Sequence, residues 1–167
     1  MTIQILVDAD ACPVKDEVYK VAWRHSDKAA RLSPGQPAPV VVTVVSNQRI
    51  RVPDHPLIDR VVVGDAFDAA DDWIVEHGDA GSIIITADIL LADRCLKAGC
   101  GAVIAPTGKP FTHGSIGNAV AVRAIKADLR AGMLTDGIGG PAPFARADRS
   151  RFLSALDEAI VRLKRRS

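Results

Sequence analysis

Aspartates follow two apolar segments of this sequence, at the points where buried strands would end. Asp8 and Asp10 come after residues 3–7, and Asp88 follows residues 82–86. The carboxyl ends of parallel strands meet at one edge of a sheet, where open α/β proteins bind ligands. We therefore expect these three carboxylates to converge.

A further carboxylate belongs to a helix that the sequence predicts over residues 66–77. The apolar stripe of this helix consists of Phe67, Ala70 and Ile74. The spacing places Asp71 on the same stripe, where a carboxylate is costly unless it is paired or bound to a metal. We expect Asp71 to join the cluster, and at least one of Asp68 and Asp72 to be a solvated acid at the helix N-terminus.

Such a cluster suits Mg²⁺ or Mn²⁺, which take oxygen ligands and keep several waters. Two such ions can activate water and stabilise the leaving oxygen in phosphoester hydrolysis. The predicted metal ligands are Asp8, Asp10, Asp71 and Asp88. The alternative is that each aspartate only caps a helix or forms a turn. This alternative is weaker for three aspartates that converge, because without a cation their carboxylates would repel one another.

Basic and polar side chains predict contacts to a phosphate-containing substrate such as RNA. The candidate substrate-binding residues are Ser46, Asn47, Arg49, Thr86 and Arg123. Arg123 shares a helix side with Lys126 and Arg130. Residues 1–110 carry a net charge of −4 and residues 111–167 a net charge of +5. The basic end of the chain, residues 162–166, is also consistent with a solvated tail.

The elements that must position these residues alternate between strand and helix, which predicts an α/β fold with helices on both faces of a mainly parallel sheet. The predicted strands are residues 3–7, 40–45, 60–64, 82–86 and 102–105. The predicted helices are residues 13–25, 66–77, 89–98 and 115–131, and a last one capped by Asp148. We expect one domain over residues 1–167, in which 1–110 form the core and 111–167 a helical extension packed on it.

Composition excludes several other classes of protein. The chain is 48% hydrophobic and 25% charged, as expected of a globular domain. No apolar run reaches the roughly 20 residues of a membrane helix, and the N-terminus does not resemble a signal peptide. Three cysteines without C-x-x-C spacing predict a cytoplasmic protein without disulfides, and the scattered histidines argue against zinc. The oligomeric state stays open, a homodimer being one outcome.

Several segments resemble the uncharacterised bacterial YaiI/YqxD family. These segments are residues 5–15 (ILVDADACPVK), 45–47 (VSN), 68–74 (DAADDWI) and 84–92 (IITADILLA). The resemblance continues through Gly108, Asn118, Arg123, residues 139–141 (GGP), Asp148, Arg149 and Phe152. It covers nearly the whole chain but implies no activity, because the family has no established one.

The order of the acids is also similar to that of PIN-type nucleases, in which acids bind Mg²⁺ or Mn²⁺ and a metal-activated water cuts RNA. This similarity implies a three-layer PIN-like fold. It makes Asp8 the central metal ligand, Asp71 the helix acid and Asp88 the acid after the fourth strand. Asp93 becomes an outermost catalytic acid, and Thr86 a residue that orients Asp88 or a phosphate.

Two other functions remain open at this point. Asp8 and Asp10 also resemble the D-x-D pair of haloacid-dehalogenase-like phosphohydrolases, in which Asp8 would be the nucleophile and Ser46 a phosphate binder. No acidic pair follows a later strand in the order that this class requires. The third alternative is a non-catalytic nucleic-acid or nucleotide-binding module with structural aspartates.

Overall fold

The computed structural model describes residues 2–66, 68–132 and 144–166, but not the side chains of Ala11 and residues 126–132. The strands are β1 (Ile3–Asp8), β2 (Val40–Ser46), β3 (Ile58–Val62), β4 (Ser82–Ile85), β5 (Ala102–Ile104) and β6 (Pro110–Phe111). The α-helices are α1 (Lys15–Leu32), α2 (Ala69–His77), α3 (Ile89–Lys97), α4 (His113–Gly132) and α5 (Arg146–Arg166). A 3₁₀ turn, Ala9–Ala11, follows β1.

The six strands form one sheet in the order β3-β2-β1-β4-β5-β6. The first five are parallel, and β6 runs antiparallel to β5. The chain therefore moves outward from β1 to β3 and then returns to the other side of β1 with β4. This reversal of strand order between β1 and β4 is where open α/β sheets form a ligand crevice, outside the carboxyl ends of the strands.

Alternating side chains of the sheet supply two apolar clusters. On β1, Ile3, Ile5 and Val7 face one side and Leu6 the other, as the two-residue period of a strand requires. The first side is covered by α1 and α5, and the second by α2, α3 and the start of α4. The result is a three-layer α/β arrangement, and the predicted fold class is confirmed.

The last helix, α5, packs beside α1 on the sheet. Its buried side chains are Phe152, Leu156, Ala159, Ile160 and Leu163. Near the start of both helices, Arg149 of α5 bonds Glu17 of α1 at 2.9 Å. Further along both helices, Asp157 of α5 bonds His25 of α1 at 2.7 Å. The two helices therefore run in the same direction.

Several elements differ from the sequence predictions, among them the strand predicted over residues 60–64, which is Ile58–Val62, and the helix predicted over 66–77, which begins at Ala69. The helix predicted over residues 13–25 runs from Lys15 to Leu32, because Ala29 and other good helix formers continue it after the apolar periodicity fades. The two-residue strand β6 was not predicted, since so short a segment has no periodicity. Phe67 and the glycine- and proline-rich stretch 137–143 lie outside the described residues.

The predicted caps of α4 and α5 also shift by a few residues. The helix α4 begins at His113, where Thr112 and Ser115 bond each other's backbone N–H at 3.1 Å in a reciprocal cap. Asp148 lies inside the first turn of α5 and accepts from the backbone N–H of Ala145 at 2.8 Å. Ser115 and Asp148 thus do cap these helices, but from the third helical position. In the described part of the chain, no helix combines the length and apolarity needed to cross a membrane.

The turn between β5 and β6 touches the backbone of α5 at Gly108. Its φ is +89°, and a Cβ there would lie 2.5 Å from the carbonyl carbon of Arg151 and 2.6 Å from the nitrogen of Phe152. Only glycine fits both the left-handed backbone and the close approach. Gly35 has a similar φ of +83°, but a Cβ there would meet nothing within 4 Å.

We expect Gly108→Ala to destabilise the protein by about 3 kcal/mol or more, since it adds a backbone clash to backbone strain. Gly35→Ala is the matched control, which should lose only about 1–2 kcal/mol, the cost of a left-handed backbone for alanine. Denaturant unfolding measures both. Equal losses in the two variants would mean that the contact between this turn and α5 contributes nothing.

Candidate functional site

The central acid of the site is Asp8, the last residue of β1. Its side chain is half-buried, and Oδ2 accepts a hydrogen bond from the Thr86 hydroxyl at 2.8 Å. Thr86 directly follows β4, is fully buried, and its oxygen also accepts from the backbone N–H of Asp88 at 3.0 Å. One hydroxyl therefore joins the ends of the two strands between which the strand order reverses.

Burial raises the pKa of Asp8, and the charges of Asp10 and Asp88 raise it further. The hydrogen bond from Thr86 opposes this shift because it stabilises the ionised carboxylate. Asp8 forms no ion pair with any described residue. Its carboxylate is thus bonded by the Thr86 hydroxyl and the backbone N–H of Asp10, and other acids lie nearby.

Two neighbouring acids already have partners. Asp88 precedes α3, and its Oδ1 accepts from the backbone N–H groups of Leu90 at 2.9 Å and Leu91 at 3.3 Å, so it is also a helix cap. Asp10 is exposed on the 3₁₀ turn. With its amide nitrogen turned toward Asp10, Asn47 donates to both carboxylate oxygens, at 2.9 Å for Oδ1.

Asp71 lies in the first turn of α2 and is half-buried, as its position on the apolar stripe predicts. Burial raises its pKa to about 6, and the charges of Asp8, Asp88 and Asp68 add to the effect. Arg94 lowers it and is thus the nearby cation. The electrostatic interactions link Asp71 to the carboxyl ends of β1 and β4, so α2 contributes to the same site.

The remaining acids of α2 and α3 form ion pairs. Asp72 is exposed and bonds Arg94 of α3 at 2.8 Å. Asp93 bonds Lys97 one turn along its own helix at 2.9 Å. Sequence reasoning missed Arg94, because the only signal for it was the packing of α2 against α3, which periodicity does not specify.

The candidate substrate-binding residues occupy different environments. Ser46, at the end of β2, is fully buried and donates its hydroxyl to the carbonyl oxygen of Gln48, within its own turn. Arg49 is exposed in the loop after β2, and Arg123 is exposed on α4. The side chains of Lys126 and Arg130 lie outside the described part of the chain.

The four predicted metal ligands, Asp8, Asp10, Asp71 and Asp88, do not form a preformed metal site in the described structure. Among residues 2–66, 68–132 and 144–166, no group of three or more acidic, histidine or cysteine side chains is arranged to hold a metal ion. Mg²⁺ commonly binds through one or two carboxylates, with waters and substrate phosphates completing its coordination. Asp8 has no ion pair among the described residues, and burial and the nearby acids raise its pKa, so it is a suitable ligand of this kind.

Comparison with known proteins identifies the family to which the chain belongs. Residues 6–162 match the model of a family described as "Uncharacterized BCR, YaiI/YqxD family". The chain belongs to the YaiI/YqxD family. The UPF0178 protein of Sphingopyxis alaskensis is 66% identical over 161 residues, which cover 96% of this chain and 95% of that protein.

Other relatives of this YaiI/YqxD protein are similar over their whole length. The UPF0178 proteins of Nitrobacter winogradskyi and Rhodopseudomonas palustris (strain TIE-1) are 56% and 57% identical over 164 residues, 98% of this chain and 94% and 93% of theirs. No solved structure matches the chain significantly. The resemblance to the YaiI/YqxD family is thus confirmed, whereas the similarity to PIN-type nucleases still depends on the order of the acids.

The raised pKa of Asp71 predicts a pH-dependent stability. The folded state holds the proton of the Asp71 carboxyl more tightly than the unfolded chain does. Protonated Asp71 therefore makes its full contribution to the free energy of unfolding below about pH 4, and this contribution is lost as pH rises through about 6. A shift of this size is worth about 3 kcal/mol in an enclosed site, and screening at a half-buried group reduces it to about 1 kcal/mol. Asp71→Asn should therefore gain about this much stability relative to the wild type between pH 4 and 8.

Denaturant unfolding across this pH range tests the expectation, with Asp27→Asn, an exposed acid in the second half of α1, as the control. The control should follow the wild-type profile. A difference between Asp71→Asn and the wild type that does not change with pH would contradict the raised pKa.

We expect Thr86→Val to destabilise the protein by about 1–3 kcal/mol, because it leaves Asp8 Oδ2 and the Asp88 N–H without their buried partner. Thr86→Ser keeps the hydroxyl and should lose about 1 kcal/mol for the missing methyl group. NMR titration of the Asp8 carboxyl should also show a higher pKa in the valine variant than in the serine variant. Equal pKa values in both variants would refute the role of the hydroxyl.

Proposed function

We propose that this protein is a metal-dependent phosphodiesterase that hydrolyses RNA at the carboxyl ends of β1 and β4. The observation that carries the proposal is the Thr86 hydroxyl, which bonds Asp8 Oδ2 and the backbone N–H of Asp88, while burial and the charges of both acids raise the pKa of Asp71 on α2. These acids meet at the reversal of strand order, where an α/β sheet binds its ligand. Asp72, the next residue of α2, is instead paired with Arg94.

Mg²⁺ or Mn²⁺ is the cofactor that this chemistry favours. Asp8 would hold the ion, together with one of its two acidic neighbours, Asp71 or Asp88. Such an ion lowers the pKa of a bound water and neutralises charge on the phosphate. Thr86 keeps Asp8 oriented and ionised through its hydrogen bond, so its role is to position a ligand rather than to touch substrate.

Asp71 is suited to accept the proton of the attacking water. A general base works best when its pKa is near the working pH, and the pKa of Asp71 is raised to about 6. Asp88 has a divided role, because one of its oxygens caps α3 while the other has no hydrogen-bond partner among the described residues. Asp93 remains a candidate outer acid, although it is paired with Lys97.

RNA is the proposed substrate because exposed arginines flank the acids along the chain. Arg49 follows β2, the neighbour of β1 in the sheet, and Arg123 lies on α4, which packs against α3. Arginine contacts to a phosphate backbone do not depend on the base sequence, and the affinity that they provide falls as the salt concentration rises. Aromatic residues make up only 4% of the chain, so stacking on bases is not expected to contribute.

The proposal is tested with the purified full-length protein and single-stranded RNA oligonucleotides, in Mn²⁺, in Mg²⁺ and with a chelator. We expect cleavage only with a divalent cation, and loss of cleavage in Asp8→Asn and Asp88→Asn. Asp71→Asn should lower the rate roughly 100-fold or more if it removes the base. Asp27→Asn makes the same carboxylate-to-amide change on an exposed part of α1 and should match the wild type.

Two outcomes would contradict the proposal in different ways. Salt-sensitive RNA binding that survives Asp8→Asn, without cleavage of any oligonucleotide in a broad panel, would favour a non-catalytic binding module. A phosphorylated or phosphate-mimic-trapped Asp8 would instead favour the phosphohydrolase alternative, in which Asp8 is the nucleophile.

A further inference from the structure

Two of the three cysteines lie side by side where α3 ends. Gly99, with a φ of +85°, reverses the chain there. The backbone N–H of Cys100 donates to the carbonyl of Cys95, and that of Gly99 donates to the carbonyl of Leu96, both at 3.1 Å. This pair of bonds defines a Schellman motif, in which the residue after the glycine packs against the helix residue five positions earlier. The backbone therefore fixes Cys95 and Cys100 as neighbours.

The two thiols differ in access. Cys95 is fully buried in the apolar cluster between the sheet and α3, whereas Cys100 is half-buried. Cys100 is one of the residues that line an open groove of about 760 Å³ beside β5, β6 and α5. Cys100 is therefore the more accessible residue of the pair, whereas Cys95 has no exposed surface.

The two thiols also differ in acidity. A hydrogen bond between them lowers the pKa of Cys100 and raises that of Cys95. A thiol with a lowered pKa is ionised more often and is the better nucleophile toward peroxide. Cys12, by contrast, is buried in the apolar cluster on the opposite face of the sheet, and burial raises its pKa to about 11.

We propose that Cys100 and Cys95 form a peroxide-oxidisable thiol pair, in which Cys100 is the attacked residue and Cys95 the resolving one. The Cys100 sulfur attacks hydrogen peroxide, the O–O bond breaks, and the thiol proton leaves with the displaced hydroxide as water. The Cys95 sulfur then attacks the Cys100 sulfenic acid, the S–O bond breaks, and a second water departs. Two thiols are oxidised to one disulfide, and one peroxide is reduced to two waters.

The motif is compatible with the bond that would form. A disulfide needs Cα atoms roughly 4.4–6.8 Å apart, and the Cys100 to Cys95 backbone hydrogen bond keeps the residues on adjacent turns. Gly78 packs directly on the Cys100 sulfur, since a Cβ there would lie 2.7 Å from Sγ. The absence of a side chain at Gly78 thus leaves room for this thiol. The proposal is independent of the acid cluster and of the proposed RNA hydrolysis.

The test treats the full-length protein with hydrogen peroxide, alkylates the remaining thiols after denaturation, and maps the peptides by mass spectrometry. We expect the wild type to lose two alkylatable thiols and the mass of two hydrogen atoms. One peptide should contain Cys95 linked to Cys100, and dithiothreitol should reverse the change. Cys12→Ser is the matched control and should form the same link at the same rate.

The variants separate the two roles. In Cys95→Ala, dimedone should trap a sulfenic acid at Cys100, because the resolving thiol is gone. In Cys100→Ser, Cys95 should stay alkylatable, because peroxide cannot reach it. Circular dichroism checks that each variant is folded, and the wild-type peptide map decides the matter if Cys95→Ala is not. The proposal would be overturned by any of three results. These are three intact thiols after peroxide treatment, oxidation beyond sulfenic acid without a disulfide, or a disulfide between two chains.

Discussion

The parallel pairing of β1 with β2 on one side and β4 on the other is the constraint on which the rest of the structure depends. Because β1 is central, its carboxyl end is surrounded by the ends of both neighbours, and Asp8 is placed there by strand length alone. The Thr86 hydroxyl then fixes Asp8 to the end of β4. Loss of this register would separate Asp8 from Thr86 and from the start of α3.

The acidic site opposes folding, whereas the two apolar clusters favour it. Burial and like charge raise the pKa values of Asp8 and Asp71, so both acids would be more easily ionised in the unfolded chain. Acids elsewhere in the described structure, such as Asp72 and Asp157, have cationic or histidine partners. Asp8 has no such partner among the described residues, and buried acids with raised pKa values are typical of functional sites.

Much of this organisation could be predicted from local pattern. The apolar segments before Asp8 and Asp88 indicated strands, and the parallel α/β order then placed both acids at one edge. The position of Asp71 followed from helical periodicity. The sequence pattern does not specify tertiary contacts. Arg94 reaches Asp72 only because α2 and α3 pack together, and the Ser46 hydroxyl bonds a carbonyl of its own turn. The Thr86 to Asp8 bond spans 78 residues, and residue spacing along the chain carries no information about it.

The parallel course of α1 and α5 places the negative ends of both helix dipoles at the same edge of the sheet. The connection from β1 to β2 returns α1 to the amino-terminal edge of the sheet, and α5 ends there too, so both negative helix ends point away from the acids. The cations gathered at this edge are Arg31, Lys164, Arg165 and Arg166. They complement the helix ends, while Asp8, Asp71 and Asp88 occupy the opposite edge. The basic end of the chain therefore neutralises helix ends on the side of the sheet away from the acids, and Arg49 and Arg123 remain the groups proposed to meet a phosphate backbone.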